Sequence, residues 1–179
     1  MIRRFNRYEL KYMVSACVRD ALLREMRVNM QPDRDGAEDG RYTVNSLYFD
    51  TWDCACYRAK IDGVNYRRKL RIRHYGTIDA RLNPVVMVEI KQRINRTTQK
   101  RRLALSLGDA YALCAGRLER RFDDPLDLRV AEEVGFLAGA MQLSPKCVIR
   151  YRRQALVGSA FEPGLRITFD EGLLASDAS

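Results

Sequence analysis

The sequence contains few of the residues on which most metal sites and activated nucleophiles depend. Among its 179 residues there is one histidine, His74, so a serine or cysteine nucleophile activated by histidine is not expected. The five cysteines form an odd set without paired metal-ligand spacing, which argues against a zinc site and a disulfide framework. We therefore expect free thiols and a cytoplasmic, reducing location.

Long apolar runs and glycine-rich loops are also missing. The longest apolar runs are a few residues, far short of a membrane span, and residues 1–5 lead into no apolar stretch typical of a secretory signal. Neither a Gly-x-Gly-x-x-Gly pattern nor a Walker-type loop occurs, so Rossmann and P-loop nucleotide-binding folds are not expected. The length and the 46% hydrophobic content predict one globular domain over residues 1–179.

Acidic residues are outnumbered by basic ones. The chain has 32 lysines and arginines against 23 aspartates and glutamates, a formal net charge of +9. This balance favours an anionic partner: a nucleic acid, a membrane surface or a phosphorylated small molecule. Composition does not choose among the three, so the positions of the charges along the chain decide.

The hydrophobic pattern predicts an α+β fold with mostly antiparallel strands. The predicted strands are residues 5–13, 42–50, 66–75, 85–93, 99–107, 147–157 and 165–169. The predicted helices are residues 16–28, 53–61, 106–115 and 126–142. Residues 31–40, rich in Asp, Gly and Pro, are predicted to form a flexible loop, and residues 175–179 a frayed end. Trp52 and Tyr57 are predicted to lie in the core.

Several predicted strands share one unusual alternation. Their polar positions are almost wholly ionic and mostly basic, as in Lys69, Arg71 and Arg73. The same pattern joins Arg7, Glu9 and Lys11; Glu89, Lys91 and Arg93; Lys100 and Arg102; Tyr151 and Arg153; and Arg166 and Asp170. For a single strand, a solvated charged face is the simpler interpretation. Repetition over five or six strands favours an antiparallel barrel with a lysine- and arginine-lined interior.

An interior of this kind is stable only with bound anions, paired carboxylates or water. Arginine forms strong bidentate hydrogen bonds to phosphate oxygens. The interspersed carboxylates Glu9, Glu89 and Asp170 have two alternative roles: they hold Mg²⁺ or Mn²⁺, or they pair with neighbouring lysines. Nucleic acid is not the expected anion, because Tyr8, Tyr12, Phe49 and Phe169 fall on the apolar positions rather than beside the basic ones.

Five segments, taken in chain order, resemble a known family. They are RYELKY at residues 7–12, SLYFDT at 46–51, KLRIRHYG at 69–76, VEIK at 88–91 and RITFD at 166–170. They resemble the vacuolar transporter chaperone (VTC) domain, whose fold relatives are the triphosphate tunnel metalloenzymes, or CYTH-like proteins. The resemblance extends from residue 3 to about residue 174, nearly the whole chain.

The resemblance implies an antiparallel tunnel barrel that binds triphosphate, polyphosphate or a nucleoside triphosphate. In catalytic members it implies a polyphosphate polymerase that uses ATP and a divalent metal, Mn²⁺ or Mg²⁺. The implied phosphate-binding residues are Lys11, Lys69, Arg71, Arg73, Lys91, Lys100, Arg102, Arg153 and Arg166. Among them Lys11, Arg71, Arg73 and Lys91 are implied to be catalytic, and Glu9 and Glu89 are the implied metal ligands.

One departure from the family pattern bears on catalysis. Family members usually end with a further strand that carries another Glu-x-Lys, whereas this sequence stops at Ser179 without one. We therefore expect tripolyphosphate binding with little or no polymer synthesis, and a second copy of the chain could cover the open sheet edge. The alternatives are a non-catalytic polyphosphate- or phosphate-sensing module that partners a membrane protein, and a triphosphate hydrolase of the same fold.

Overall fold

The computed structural model describes residues 4–7, 9–34, 36–95, 97–159, 162 and 164–178, with the side chains of residues 4–7 left out. The strands of this part are β1 (Arg4–Arg7), β2 (Met30–Pro32), β3 (Arg41–Asp50), β4 (Tyr66–Tyr75), β5 (Val85–Ile94), β6 (Thr97–Ser106), β7 (Ser144–Gly158) and β8 (Arg166–Asp177). Its α-helices are α1 (Ala16–Met26), α2 (Ala55–Ile61), α3 (Leu107–Cys114) and α4 (Pro125–Ala140). The strand order is β1-β6-β5-β4-β3-β7-β2, and β8 pairs with β7. The predicted α+β class with antiparallel pairing is confirmed.

The described residues divide into two compact units. Unit 1 comprises those of residues 1–9, 45–149 and 175–179, and unit 2 those of residues 10–44 and 150–174. The strands β3, β7 and β8 contribute residues to both units. The expectation of a single domain over the whole chain therefore stays a prediction.

Unit 1 is built on the antiparallel strands β4, β5 and β6, which place their apolar residues on one face. The buried residues on this face are Leu70, Ile72, Val86, Val88, Ile90, Leu103 and Leu105. They pack in one core with buried side chains of α3 and α4, among them Leu113, Val134 and Leu137. Because strand side chains alternate between faces, this packing assigns seven ionic residues to the opposite face: Lys69, Arg71, Arg73, Glu89, Lys91, Lys100 and Arg102.

A polar side chain caps the N-terminus of both α3 and α4. Ser106 Oγ accepts the Asp109 N–H at the start of α3, and Asp124 Oδ1 accepts the Leu126 N–H at the start of α4. Pro125 occupies the first position of α4, where the missing N–H costs nothing.

None of the helices in the described part of the chain has the length and apolar character of a membrane-spanning helix.

Asp50 ties the end of β3 to the start of α2. This buried carboxylate accepts the N–H groups of Thr51 and Cys56 through Oδ1, each at 2.8 Å, and that of Tyr57 through Oδ2 at 3.0 Å. The first N–H groups of a helix lack partners within the helix. Asp50 therefore satisfies donors that would otherwise be left unpaired at the helix N-terminus.

Replacing Asp50 by alanine is expected to lower the free energy of unfolding by about 1–2 kcal/mol, the usual cost of losing an N-terminal cap. Chemical denaturation measures the change. Asp62→Ala is the matched control, because this exposed aspartate lies at the other end of α2 and its loss should cost less than about 0.5 kcal/mol. Equal costs for the two variants would contradict the capping role.

Unit 2 has a smaller core. Leu23 of α1, Met30 of β2, Leu156 of β7 and Phe169 of β8 form its buried cluster. The predicted helix start at Ser15 is confirmed, since Ser15 Oγ accepts the Val18 N–H. Helix α1 ends at Met26, close to the predicted position.

The first predicted strand, residues 5–13, is wrong in its extent. The strand β1 ends at Arg7, which pairs with Thr98, one residue from the first residue of β6. Since β6 provides almost no further partner, residues 9–15 run as irregular chain, and Glu9 and Lys11 do not alternate along a strand. Tyr8 and the side chain of Arg7 lie outside the described residues.

Three further expectations are corrected. The predicted loop at 31–40 begins inside a short strand, β2, which pairs with β7. The predicted frayed end belongs largely to β8, which continues to Asp177, and the Ala178 N–H donates to the Lys146 carbonyl. Trp52 and Tyr57 are 84% and 57% exposed, not core residues, because α2 buries Cys56 instead.

Candidate anion-binding site

Two rows of charged residues cross the ionic face of β4, β5 and β6. In the first row, Arg71 lies opposite Glu89, and Glu89 opposite Arg102. In the second row, Lys69 lies opposite Lys91, and Lys91 opposite Lys100. Directly opposed like charges destabilise a strand pair, so the lysine row requires negative charge nearby.

Glu89 is the carboxylate at the centre of these cations, and it is 0% exposed. Its Oε2 lies 2.8 Å from Arg71 Nε and 2.6 Å from Arg71 Nη2, with Arg73 Nε at 4.0 Å. Its Oε1 forms an ion pair with the Lys100 ammonium and lies 3.2 Å from Arg102 Nη2. Burial alone would raise the pKa of Glu89, but the charges of Arg71, Lys100 and Arg73 lower it to about 2.

Positive charge exceeds negative charge on this face. Arg71, Arg73 and Lys100 are each less than a tenth exposed. In the described part of this face, six cations, which also include Lys69, Lys91 and Arg102, lie near three carboxylates: Glu89, Glu9 and Asp50, whose charge acts on Lys69. Buried charges are normally paired, because removing them from water is costly. The excess therefore indicates a site for an anion.

Two hydroxyl groups of β3 hold the arginines of β4. Tyr48 Oη accepts an N–H of Arg71 at 2.8 Å, and Ser46 Oγ accepts the Nε–H of Arg73 at 3.0 Å. The Arg71 guanidinium also lies 5.6 Å from the centre of the Tyr48 ring. Burial raises the pKa of Tyr48, but the charges of Arg71, Arg73 and Lys91 more than offset this, so it lies below its ordinary value.

Ser46 and Tyr48 were not among the site residues predicted from the sequence. Both lie in the SLYFDT segment at 46–51, on the same strand parity. Their shared parity could have indicated two hydroxyl groups on one face of β3. It would predict contact with Arg71 and Arg73 only if β3 were also known to pair with β4. The pairing is a tertiary fact, and it turns two ordinary strand residues into partners of the cations.

The two predicted metal ligands form ion pairs with cations. Glu9 Oε2 lies 2.8 Å from Lys91 Nζ, and both side chains are about one-third exposed. Both oxygens of Glu89 face cations, as described above. In the part of the chain that the structure describes, no three His, Cys, Asp or Glu residues are grouped to hold a metal ion. This donor set does not fit a protein-held divalent cation, and the metal roles stay predictions.

The remaining predicted phosphate-binding residues belong to unit 2. Arg153 forms a bidentate pair with Asp170, with N–O distances of 2.7 and 2.8 Å, and its pKa is raised because this pairing outweighs burial. Arg166 Nη2 contacts Asp33 Oδ2 at 2.5 Å and the Tyr42 hydroxyl at 2.9 Å. Lys11 lies exposed in the irregular segment before α1. The structure thus gathers Arg71, Arg73, Lys100 and Arg102 in unit 1, and places Arg153, Arg166 and Lys11 in unit 2.

Comparison with known proteins assigns the family. The profile of the VTC domain matches residues 6–178, almost the entire sequence. The chain belongs to the VTC domain family. No curated protein matches this VTC domain. A similar solved structure is that of a protein from Bacillus halodurans assigned as an adenylate cyclase, with 12% identity, 98% of this chain and 79% of that chain covered, and a TM-score of 0.46.

Lys100 gives the VTC domain a proton-binding group near neutrality. Burial lowers the pKa of Lys100, Glu89 partly restores it, and Arg71 and Arg102 lower it further, to about 7. Unfolded lysine has a pKa near 10.4, so between about pH 7 and pH 10 the unfolded chain binds the additional proton. The contribution of Lys100 to the free energy of unfolding therefore rises with pH between about pH 7 and pH 10.

We expect the free energy of unfolding to increase between pH 7 and pH 9 by at most about 1.4 kcal/mol per pH unit through Lys100. Chemical denaturation at a series of pH values measures this. Lys100→Arg keeps the charge but does not titrate in this range, so its pH profile should lack the increase. Parallel profiles for the parent and this variant would contradict the assignment.

Proposed function

We propose that this VTC domain binds triphosphate or polyphosphate at a group of basic residues in unit 1, here called the cation cluster. It consists of Lys69, Arg71, Arg73, Lys91, Lys100 and Arg102. The observation that carries the proposal is the buried excess of positive charge around a single, fully buried carboxylate. Glu89 compensates for part of the charge of its neighbours. A bound anion supplies the rest, by the same interactions that lower the pKa of Glu89.

The chemistry of the donors favours phosphate oxygens. Guanidinium groups bind phosphate through paired N–H donors, and such charge-assisted hydrogen bonds are about twice as strong as neutral ones. The only carboxylate in the buried row already faces cations, so the site offers donors rather than acceptors. A fully ionised phosphate chain, which offers only acceptors, matches this set.

The burial of the cations favours a slender ligand over nucleic acid. Arg71, Arg73 and Lys100 are almost inaccessible to solvent, whereas a duplex is bound by exposed lysines and arginines that reach its backbone. The aromatic group in the cluster, Tyr48, is engaged by Arg71 rather than presented for base stacking. A chain of linked phosphates is narrow enough to follow the two rows of cations.

Thermal denaturation with added anions tests the proposal. Tripolyphosphate should raise the melting temperature, because an anion that binds only the folded state stabilises it by mass action. Single-stranded DNA at matched charge should give little shift, and its effect should fall steeply with salt. Equal stabilisation by DNA and tripolyphosphate would contradict a buried phosphate site and indicate a general basic surface.

Catalysis is the second candidate, and membership of the VTC family favours it. In this form the protein would build polyphosphate from ATP, or hydrolyse triphosphate, with Mn²⁺ or Mg²⁺ supplied at the ligand's own phosphate oxygens. The ion pairs of Glu9 and Glu89 favour binding over turnover, because neither carboxylate is presented together with other acids. Incubation with ATP and Mn²⁺ distinguishes the two: we expect binding without chain growth or phosphate release.

A cytoplasmic location belongs to the same proposal. All five cysteines are free thiols, and free thiols persist in reducing compartments. Polyphosphate and nucleoside triphosphates are the anions that a cytoplasmic site of this kind would meet. The proposed partners also include a membrane protein and a second copy of this chain. A measurement of the oligomeric state in solution tests the self-association.

A further inference from the structure

A cluster of large apolar side chains is exposed at one end of the unit 1 sheet. It consists of Trp52, Tyr57, Ile61, Val64 and Tyr66, here called the apolar patch. Trp52 and Ile61 are 84% and 62% exposed, and every residue from 60 to 66 is exposed. The five side chains lie within one segment of the chain, residues 52–66, and apolar surface gathered in one place usually marks an interaction site.

Hydrogen bonds connect the parts of the patch. Tyr57 and Ile61 are four residues apart on α2 and therefore share one helix face. The Val64 N–H donates to the Ala59 carbonyl, joining the turn to the helix. Tyr66 begins β4 and lies opposite Ile94, which is also exposed. The patch is thus a fixed feature of the helix, the turn and the strand end.

Basic residues accompany the patch. Arg67 Nη1 donates to the Val64 carbonyl at 2.6 Å, and the Arg68 guanidinium lies 5.7 Å from the centre of the Tyr66 ring. The cations of this region are Arg58, Lys60, Arg67, Arg68 and Arg93, and its acids are Asp50, Asp53 and Asp62. Five cations against three acids leave an excess of two positive charges beside exposed tryptophan, tyrosine and isoleucine side chains.

We propose that the apolar patch docks the domain on the surface of a bilayer that contains anionic phospholipids. Tryptophan and tyrosine favour the boundary between headgroups and acyl chains, since one end of each ring is polar and the other apolar. Lysine and arginine next to inserted apolar groups attract anionic headgroups. This combination of side chains complements a lipid surface in both polarity and charge, and it is independent of the cation cluster and of the function proposed for it.

Binding to vesicles tests the inference. The full chain should float with vesicles of phosphatidylcholine and phosphatidylserine, should bind phosphatidylcholine alone weakly, and should be released by salt. Trp52 is the only tryptophan in the sequence, so its emission should shift to the blue when vesicles containing phosphatidylserine are added. Equal binding to both kinds of vesicle, or no binding, would overturn the proposal.

Two pairs of substitutions assign the binding to the patch. Tyr57→Ser with Ile61→Ser removes apolar area and should weaken vesicle binding roughly tenfold or more. Arg58→Glu with Lys60→Glu reverses two charges and should weaken it by a similar factor. All four side chains are exposed, and circular dichroism with cooperative unfolding in denaturant checks that the variants are folded. Unchanged vesicle binding by both variants would overturn the proposal.

The matched controls lie at the other end of the sheet. Tyr111→Ser and Arg117→Glu change exposed residues in and after α3, which follows the end of β6 away from the turn at Asn95. They should bind vesicles as the parent does. Saturating tripolyphosphate should leave vesicle binding intact, and displacement would assign the binding to the cation cluster instead. Capture of a protein through the patch without vesicle binding would also overturn the lipid assignment.

Discussion

Replacing Glu89 by glutamine is expected to lower the free energy of unfolding by about 3–5 kcal/mol, the usual cost of removing one partner from a buried ion pair. The amide retains the shape of the carboxylate, but it leaves Arg71 without its negatively charged partner. The Arg71 guanidinium is buried and cannot turn to solvent for compensation, whereas Lys100, with a pKa of about 7, can lose its proton. Chemical denaturation at neutral pH measures the loss.

Tripolyphosphate should recover part of that loss. The variant has one more uncompensated positive charge in the cluster, so a bound polyanion relieves more repulsion in it than in the parent. The stability difference between the two proteins should therefore narrow as tripolyphosphate is added. Narrowing of this kind would not follow from a packing defect, which an anion cannot repair.

Glu133→Gln is the matched control. Glu133 pairs with Arg101 on the opposite, helix-covered face of β6, and its side chain is partly exposed. Its replacement should cost about 1 kcal/mol or less, as for pairs near the surface. The cost should not change with tripolyphosphate. If Glu89→Gln and Glu133→Gln lowered the free energy of unfolding by the same amount, the stability of the cation cluster would not depend on the charge of Glu89.

Removing one arginine from the cluster should weaken tripolyphosphate binding roughly tenfold or more, since a hydrogen bond to a charged group contributes about 1.5–3 kcal/mol. Arg73→Ala is the cleaner variant. Its Nε donates to Ser46 and is 4.0 Å from Glu89, a longer distance than those between Arg71 and Glu89. Arg71→Ala should weaken binding as much and should also reduce stability, because Arg71 forms the closest pair with Glu89.

Arg68→Ala separates a site effect from the loss of charge. Arg68 lies on β4 between Arg67 and Lys69 but has the opposite parity from Arg71 and Arg73, and it lies over the Tyr66 ring. The Arg68→Ala substitution removes one positive charge from β4, as Arg73→Ala does, but from the other face of the sheet. Isothermal titration with tripolyphosphate should give an unchanged affinity for Arg68→Ala. Comparable losses in Arg68→Ala and Arg73→Ala would contradict a localised site, and unchanged affinity in Arg71→Ala and Arg73→Ala would exclude it.

The sequence alone predicted the strands of unit 1 well, for a physical reason. The period-two alternation of Leu70 and Ile72 with Lys69, Arg71 and Arg73 is a local property, so β4 was predicted with its observed limits. The same alternation assigned Lys100 and Arg102 to one face of β6. The predicted strand at 5–13 failed because its extent depended on the length of β6, which the residues of that segment do not encode.

The roles of individual charges depended on pairing between distant strands. The carboxylate of Glu89 was predicted either to hold a metal or to pair with cations, and its own segment, VEIK, does not distinguish these roles. The antiparallel register placed Arg71 and Arg102 on either side of it and brought Lys100 to its other oxygen. Ser46 and Tyr48 became partners of the arginines by the same route.

The sequence by itself therefore determined the class of the fold and the family, and it predicted a phosphate polyanion as the ligand, because composition, alternation and short motifs are properties of neighbouring residues. Only the tertiary structure decided which cations surround Glu89, and that Trp52 and Tyr57 are exposed rather than buried. Those facts depend on strand register and on which face of a short helix meets the sheet. Both are set by contacts between residues far apart in the chain, where the free energy of packing outweighs local preference.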